Sequence, residues 1–291
     1  MKITVFTPAY NRAYTLDRLY RSLTGQNFED FEWLVVDDGS TDETEQKIGE
    51  FISQKRISIR CFKTVNQGKL RAMNFGVTKA YGKLFFILDS DDYLAGDALN
   101  KVWENYLQIK DDLTFGGIIG LRPFANGQTY PKVDYKKIDC TYPQWCARYN
   151  FHGETADVFL TTAIKEFPFP VIADEHYFSE DMLWYQMAKK YKMRFISDAL
   201  VYGEYLPDGI TKNIGNLRKN NPLSFMMYYR YFSSQKTIPL RRRFRFCYEY
   251  WLFWKVYHKK FKQVKTDKEP IPFWGYIIFF YVILSFRKLR Y

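Results

Sequence analysis

The stretch LFFILDSDDYL, residues 84–94, runs five apolar residues, Leu84 to Leu88, straight into the carboxylates Asp89, Asp91 and Asp92. A short, unbroken apolar run of this kind predicts a strand buried on both faces, as in a parallel sheet. In open α/β sheets, ligands bind beyond the carboxyl ends of the strands. Asp89 and Asp91 are therefore expected at the rim where a ligand sits. Two carboxylates separated by one residue can hold a hard divalent cation, which in turn can hold a diphosphate. The same residues also suit an acidic turn with an aspartate capping the next helix.

Outward from this strand, the first 110 residues alternate between strand and helix patterns. KITVFT (2–7), WLVVDDG (33–39) and IRCFK (59–63) are predicted strands. Thr15 is expected to precede a helix that carries Leu16, Leu19, Tyr20 and Leu23 on one face. Ser40 and Glu43 have the spacing of a capping box ahead of a helix burying Ile48, Phe51 and Ile52. A third helix is predicted from Lys69 to Tyr81, closed by Gly82. A fourth shows Leu99, Val102, Trp103, Tyr106 and Leu107 at helical spacing. Alternation of this type implies a parallel sheet with helices on both faces.

The regularity fades after Asp112. GGIIGL (116–121) suits a strand, residues 122–150 look like loop, and residues 182–192 look helical. MRFIS (193–197) and ALVYGEYL (199–206) look extended, and from Pro222 onward the pattern is helical and amphipathic. The expected organisation is a first half (1–110), a second half (111–211) and a basic, aromatic helical extension (212–291). Charge divides the chain in the same way. Residues 1–211 hold 25 Lys and Arg against 29 Asp and Glu, a net of −4, whereas residues 212–291 hold 18 against 3, a net of +15. In the extension these cations are interleaved with aromatics, as in RRRFRF (241–246) and WLFWKVYHKKFK (251–262), which favours an anionic membrane surface over nucleic acid. The apolar run Ile271–Phe286 is 16 residues long. A spanning helix needs about 20, so an interfacial anchor is expected instead.

Cys61, Cys140, Cys146 and Cys247 show no CxxC spacing and do not suggest zinc. Met1 leads almost directly into a strand, so a cytoplasmic protein with reduced thiols is expected. His152 and His176 suit surface or packing roles, and His258 belongs to the basic face. Three strand ends converge on one rim: TPAYNR (7–12), Asp37-Asp38 and the 89–92 acids. Thr7 and Tyr10 offer hydroxyls there, and Asp37 and Asp38 offer acceptors for base and ribose. Neither GxGxxG nor GxxxxGK[ST] is present, so backbone amides are not the expected diphosphate cradle. A cation on Asp89 and Asp91 is the natural substitute.

With TPAYNR (7–12), VVDDGSTD (35–42), NQGKLRAMNFG (66–76), LDSDD (88–92) and SEDMLW (179–184) in this order, the chain resembles an inverting glycosyltransferase of family 2 with the GT-A fold. The resemblance covers roughly residues 1–210 and implies a nucleotide-sugar-binding half (1–110) and an acceptor-binding and catalytic-base half (111–211). EYLPDGITKN (204–213) is similar to a stretch in bacterial members that build surface polysaccharides. The resemblance implies that Thr7, Pro8, Tyr10, Arg12 and Asp38 surround the nucleotide base and ribose. It puts Arg71 near the base or diphosphate and makes Asp89 and Asp91 the DxD motif, with Asp91 the more direct ligand of Mn2+ or Mg2+. Asp92 then has a supporting role. The catalytic base falls in the ED pair, at Asp181 or at Glu180. The two acids also suit the first turn of a helix, where its dipole favours them. Carboxylates side by side raise one another's pKa, which would suit a base working near neutral pH.

The resemblance and the basic extension together imply an enzyme at the inner face of a bacterial membrane. It would move a sugar from a nucleotide-diphosphate donor, by family resemblance a UDP-sugar, to a hydroxyl of a growing glycan, itself plausible as a lipid-linked acceptor. One carboxylate suffices for a single inverting displacement, whereas a retaining hydrolase uses two. Two other classes fit less well. A nucleotidyltransferase would carry a Gly- and Lys-rich loop after the first strand, and TPAYNR is not one. A non-catalytic membrane-surface protein would leave the acids of the rim without purpose.

Overall fold

The computed structural model describes residues 1–123, 133–149, 151, 154–203, 214–261 and 270–284. EYLPDGITKN and His152 lie outside the described residues. The chain forms two compact units, Met1–Phe169 with Leu183–Leu206, and Pro170–Met182 with Pro207–Tyr291.

In the first unit the elements run β1 (Ile3–Ala9), α1 (Ala13–Thr24), β2 (Phe31–Asp37), α2 (Thr44–Gln54), β3 (Ser58–Lys63), α3 (Lys69–Lys79) and β4 (Leu84–Ile87). Next come β5 (Tyr93–Leu94), α4 (Ala98–Leu107), β6 (Phe115–Leu121), β7 (Lys137–Cys140), α5 (Tyr142–Tyr149), β8 (Thr155–Leu160) and α6 (Thr161–Ile164). After α7 (Asp181–Met187), which starts in the other unit, β9 (Lys192–Ala199) and β10 (Val201–Tyr202) complete it. Eight strands make one sheet in the order β3-β2-β1-β4-β8-β6-β9-β7. The pairs among β3, β2, β1 and β4 are parallel, as is β6–β9. β8 runs antiparallel to both β4 and β6, and β7 antiparallel to β9. The expected α/β architecture with a mainly parallel sheet is thus observed.

Every residue of β1 and β2 is buried, as expected of strands covered on both faces, and the few polar ones, Thr4, Thr7, Glu32 and Asp37, are buried with them. On one face Leu16, Leu19, Tyr20 and Leu23 of α1 pack with Trp33 and Phe51, and the Tyr20 and Phe51 rings stack with centroids 4.1 Å apart. Each such side chain contributes about 1.5–3 kcal/mol by leaving water. Strand order reverses at β1: β2 and β3 lie to one side and β4 to the other. Pairing of β1 with β4 ends at Phe6–Ile87, while pairing with β2 continues to Ala9–Asp37. A crevice therefore opens between the carboxyl ends of β1 and β4, the kind of switch point where α/β sheets take ligands. Pro8 lies past the end of the β4 pairing, so its missing N–H costs no ladder bond there.

Several local expectations are corrected. The Ser40–Glu43 capping box does not form: α2 begins at Thr44, without a side-chain cap. Ser40 instead accepts a hydrogen bond from Asn11 N at 2.9 Å, so the loop after β1 has captured the capping hydroxyl. α1 starts at Ala13, ahead of Thr15, whose hydroxyl donates back to Arg12 O. α3 ends at Lys79, because Ala80 is already extended. Ile52 and Leu107 point outward, 43% and 47% exposed. The stretch 122–150 is not all loop, since it contains β7 and α5. There Trp145, fully buried and stacked on Phe195 at 4.6 Å, supplies the anchoring contact. The helix expected over 182–192 stops at Met187, and β9 already begins at Lys192.

The second unit holds the segment 170–182 with α8 (Ile214–Asn220), α9 (Pro222–Ser234), α10 (Leu240–Phe261) and α11 (Gly275–Leu284). Proline opens α9, where its missing N–H is harmless. The buried Glu175 carboxylate accepts from Leu223 N and Ser224 N at 2.7 Å each and from the Ser224 hydroxyl at 2.6 Å. A carboxylate at a helix N-terminus satisfies free amides and complements the dipole. Asn221 Oδ1 accepts from His176 N and Tyr177 N, so residues 175–177 are tied to the start of α9. Rings of Phe225, Tyr229, Phe232, Phe246 and Phe253 join α9 to α10. Trp251 Nε1 donates to Gly275 O at 2.9 Å and fixes α11. A Cβ on Gly275 would meet Cys247 Sγ at 2.7 Å, which explains the glycine. Among the described residues, no helix is long and apolar enough to cross a membrane.

Candidate active site

The rim of the first unit is built from the loops after β1, β2 and β4. Asn11, with φ of 52°, is the residue that joins the first two. Its side-chain oxygen accepts from Thr41 N at 2.8 Å. Asparagine tolerates the left-handed region better than most residues. Tyr10, the neighbour before it, is 46% exposed, and Arg12, the neighbour after it, is half-buried. Thr7 and Pro8 lie lower. Thr7 is fully buried, and its hydroxyl accepts from Trp33 Nε1 at 3.0 Å.

Asp38 is buried and directs both oxygens at the loop before α3. Gln67 N donates to Oδ1 at 3.0 Å and Gly68 N to Oδ2 at 2.7 Å. Gly39 beside it has φ of 79°, and a Cβ there would lie 2.7 Å from Asn66 N, so only glycine lets the two loops close. Asp37 accepts from Ser40 N through Oδ1, whereas its buried Oδ2 has no hydrogen-bond partner among the described residues. Arg71 is half-buried in the first turn of α3.

The three acids after β4 fall into different surroundings. Lys69 Nζ lies 2.7 and 2.8 Å from the two Asp89 oxygens. Burial works to raise the Asp89 pKa, but the Lys69 ammonium, with Arg122 and Arg12 at longer range, outweighs it and holds the acid below its ordinary range. Asp91 is pushed up, first by burial and then by the Asp89 charge. Among the described residues its carboxylate has no ion pair, while Arg18 Nη2 donates to its backbone oxygen at 2.7 Å. Asp92 turns inward to a bidentate pair with Arg122, with both bonds at 2.6 Å, and Arg122 also bonds Glu154. A Cβ on Gly203 would run into the Arg122 guanidinium, so a glycine completes this buried pair.

Asp89 and Asp91 fit a hard divalent cation: two oxygen donors lie one residue apart, and the like charge that penalises Asp91 is what a cation relieves. Among the described residues, no group of three or more His, Cys, Asp or Glu could hold a metal ion. Ligand oxygens would have to complete its shell, as is usual where magnesium-type ions bind substrate phosphates.

In the second unit Asp181 opens α7. Ser179 Oγ donates to its Oδ1 at 2.6 Å, and Tyr228 OH, from α9, donates to Oδ2 at 3.2 Å. Burial raises the Asp181 pKa, and the two hydroxyls pull against it. Burial, rather than a neighbouring charge, is the largest cause of this rise. Glu180 is half-buried. Ser179 and Tyr228 also line a cavity of about 420 Å³, with Arg218, Arg242, Arg245 and Glu249 among its other walls. His176 is exposed, and His258 stacks on Trp254 at 4.7 Å.

Residues 4–155 match the model of the family described as glycosyl transferase family 2. The chain belongs to that family. An uncharacterized glycosyltransferase of Haemophilus influenzae is 36% identical over 115 residues, 39% of this chain and 46% of the relative. The GalNAc(5)-diNAcBac-PP-undecaprenol beta-1,3-glucosyltransferase of Campylobacter jejuni is 27% identical over 217 residues, 72% of this chain and 67% of the relative. The chain spans less than half the length of the first curated relatives that it matches. Among solved structures, Staphylococcus aureus TarS 1–349 in complex with UDP-GlcNAc superposes with a TM-score of 0.62 at 17% identity, over 97% of this chain and 79% of that one. This likeness shows the fold, which is of the GT-A type.

Proposed function

We propose that the protein is a cation-assisted, inverting glycosyltransferase that moves a sugar from a UDP-sugar to a lipid-linked glycan in surface-polysaccharide synthesis. The observation that carries this reading is the acidic run at the end of β4, beside the crevice where the strand order reverses. The TarS complex with UDP-GlcNAc supports the donor class, and the Campylobacter relative supports an acceptor on a polyprenyl diphosphate.

In this mechanism Tyr10, Arg12, Asp38 and Arg71 frame the nucleotide, with Thr7 and Pro8 as the floor beneath them. Asp91, with Asp89, would hold Mn2+ or Mg2+. A bound cation would offset the charge that gathers on the departing diphosphate. Asp181 takes the proton of the acceptor hydroxyl, whose oxygen bonds the anomeric carbon as the bond to the diphosphate breaks. Ser179 and Tyr228 aim the carboxylate at that proton. Glu180 is the neighbour that a base assignment must be tested against. The test is a screen for acceptor-dependent UDP release from UDP-sugars, with Mn2+ and a polyprenyl-diphosphate-linked glycan. One donor should respond, and silence from every nucleotide sugar would sink the proposal.

The C-terminal helices are proposed to rest on the inner, anionic face of the membrane. Phe273, Ile277, Phe280 and Tyr281 are 63–89% exposed, in a region with a net charge of +15. Aromatics with flanking cations are the chemistry of interfacial helices. Wild type should float with vesicles of phosphatidylcholine and phosphatidylglycerol. Ile277→Asp with Phe280→Asp should stay in the pellet, and equal flotation of the two proteins would refute the contact.

A further inference from the structure

The cavity beside Asp181 has an electrostatic character that a neutral sugar hydroxyl does not require. Its volume of about 420 Å³ falls in the range of small-ligand sites, about 300–1,000 Å³. Three arginines line it. Arg218, from α8, is ion-paired with Glu249 of α10. Arg242 and Arg245 are three residues apart on α10, so both face the cavity, and both are exposed at its mouth. Neither has an ion pair among the described residues. Arg243, between them, is turned away: its Nε donates to Ser233 O, and its guanidinium lies over the Trp274 ring. Among the described residues two guanidinium groups at one mouth thus have no ion pair, while Ser179 and Tyr228, in the wall, hold the Asp181 carboxylate. Tyr177, Phe225 and Phe246 add aromatic rings to its wall.

We infer that this cavity takes a phosphate group of the acceptor, held by Arg242 and Arg245, so that the acceptor hydroxyl is presented to Asp181. Guanidinium forks match phosphate oxygens in geometry as well as in charge. The inference rests on Asp181 being the base and adds to it the acceptor's chemical class: a phosphate ester or diphosphate, whether the phosphate belongs to a polyprenyl carrier or to a polyol-phosphate chain. Arg242 and Arg245 are thereby binding residues that position the acceptor.

Calorimetric titration of the full chain with inorganic pyrophosphate, with divalent cations chelated, tests the cavity without catalysis. Wild type and Asp91→Ala should bind alike, whereas Arg242→Gln with Arg245→Gln should lose about tenfold per arginine. The exposed positions leave the fold intact, which an unchanged melting temperature confirms, and Arg→Lys at both sites should restore part of the affinity. In transfer assays the double variant should raise KM for a phosphate-bearing acceptor and leave kcat and the donor KM alone. Parallel assays with polyprenyl-diphosphate and polyol-phosphate acceptors show which source of phosphate is used. Unchanged pyrophosphate affinity in the double variant overturns the inference, as does a loss confined to vesicle flotation, which would make the arginines a headgroup contact. If Asp181→Asn still transfers sugar while pyrophosphate binding depends on the arginines, the base assignment fails and the phosphate site stands.

Discussion

Asp181→Asn is expected to lower sugar transfer by about 10²–10⁴-fold, the usual contribution of a general base, while leaving donor affinity unchanged. The substitution preserves size and keeps one accepting oxygen, and the hydroxyl that faces the new amide nitrogen must turn to accept from it. The proton acceptor is lost. Glu180→Gln, one residue away, should cost far less. The reverse order of effects would move the base to Glu180. The pH profile provides a second test. Burial raises the Asp181 pKa above the ordinary aspartate value of 3.8. A base acts when ionised, so transfer should rise with pH through that raised value and be lost below it. Tyr228 OH stabilises the ionised carboxylate, so Tyr228→Phe should raise the pKa further and displace the acid limb to higher pH. A limb that stays in place would show that the hydroxyl does not tune the base.

Asp91→Ala is expected to abolish cation-dependent donor binding, a loss of about 10³-fold, or about 4 kcal/mol. UDP-sugar affinity measured with and without Mn2+ should differ in wild type and coincide in the variant. Stability should hardly change, because Asp91 is an acid penalised by burial and by Asp89 and has no ion pair among the described residues. Asp92→Ala makes the instructive contrast. It removes the bidentate partner of the Arg122 guanidinium, which is only 8% exposed, and leaves it with the half-exposed Glu154; breaking a buried pair costs about 3–5 kcal/mol. Two adjacent acids should thus separate into a ligand-binding defect and a folding defect. If Asp91→Ala keeps a cation-dependent donor affinity, Asp91 is not the metal ligand.

The half of the fold around β1 to β4 is legible in the sequence because β1, β2 and β4 are buried on both faces and its helices show one apolar stripe. Both signals are local. β8 is not legible: its burial depends on lying between β4 and β6, and nothing within Thr155–Leu160 announces two distant partners. The capping box fails for a related reason, since Asn11, 29 residues earlier in the chain, recruits the Ser40 hydroxyl. At the site, the acids themselves can be read from the strand ends. Their partners cannot. Lys69 meets Asp89 from 20 residues away, Arg122 meets Asp92 from 30, and Tyr228 meets Asp181 from 47. Asn11 is within reach, because an asparagine in a tight loop after a strand is a known signal for a left-handed turn. The cationic cavity has a visible component in RRRFRF, but only the helix face distinguishes Arg242 and Arg245 from Arg243.

The insertion of β8 between β4 and β6 also sets an order of assembly. β1 to β4 pair through crossovers of ordinary length, so the strands that carry the acidic rim need nothing made after Ile87. The other half cannot close until β8 has been synthesised and slotted in backwards between β4 and β6, and β9 then pairs with the far edge of β6. Pairings of long sequence separation are slow to form. A nascent chain would thus hold a nearly finished crevice between β1 and β4, whose exposed β4 edge waits for its cover. That waiting edge is the place where misassembly would begin, and pulse-labelled hydrogen exchange during refolding should find β1 and β2 protected before β8.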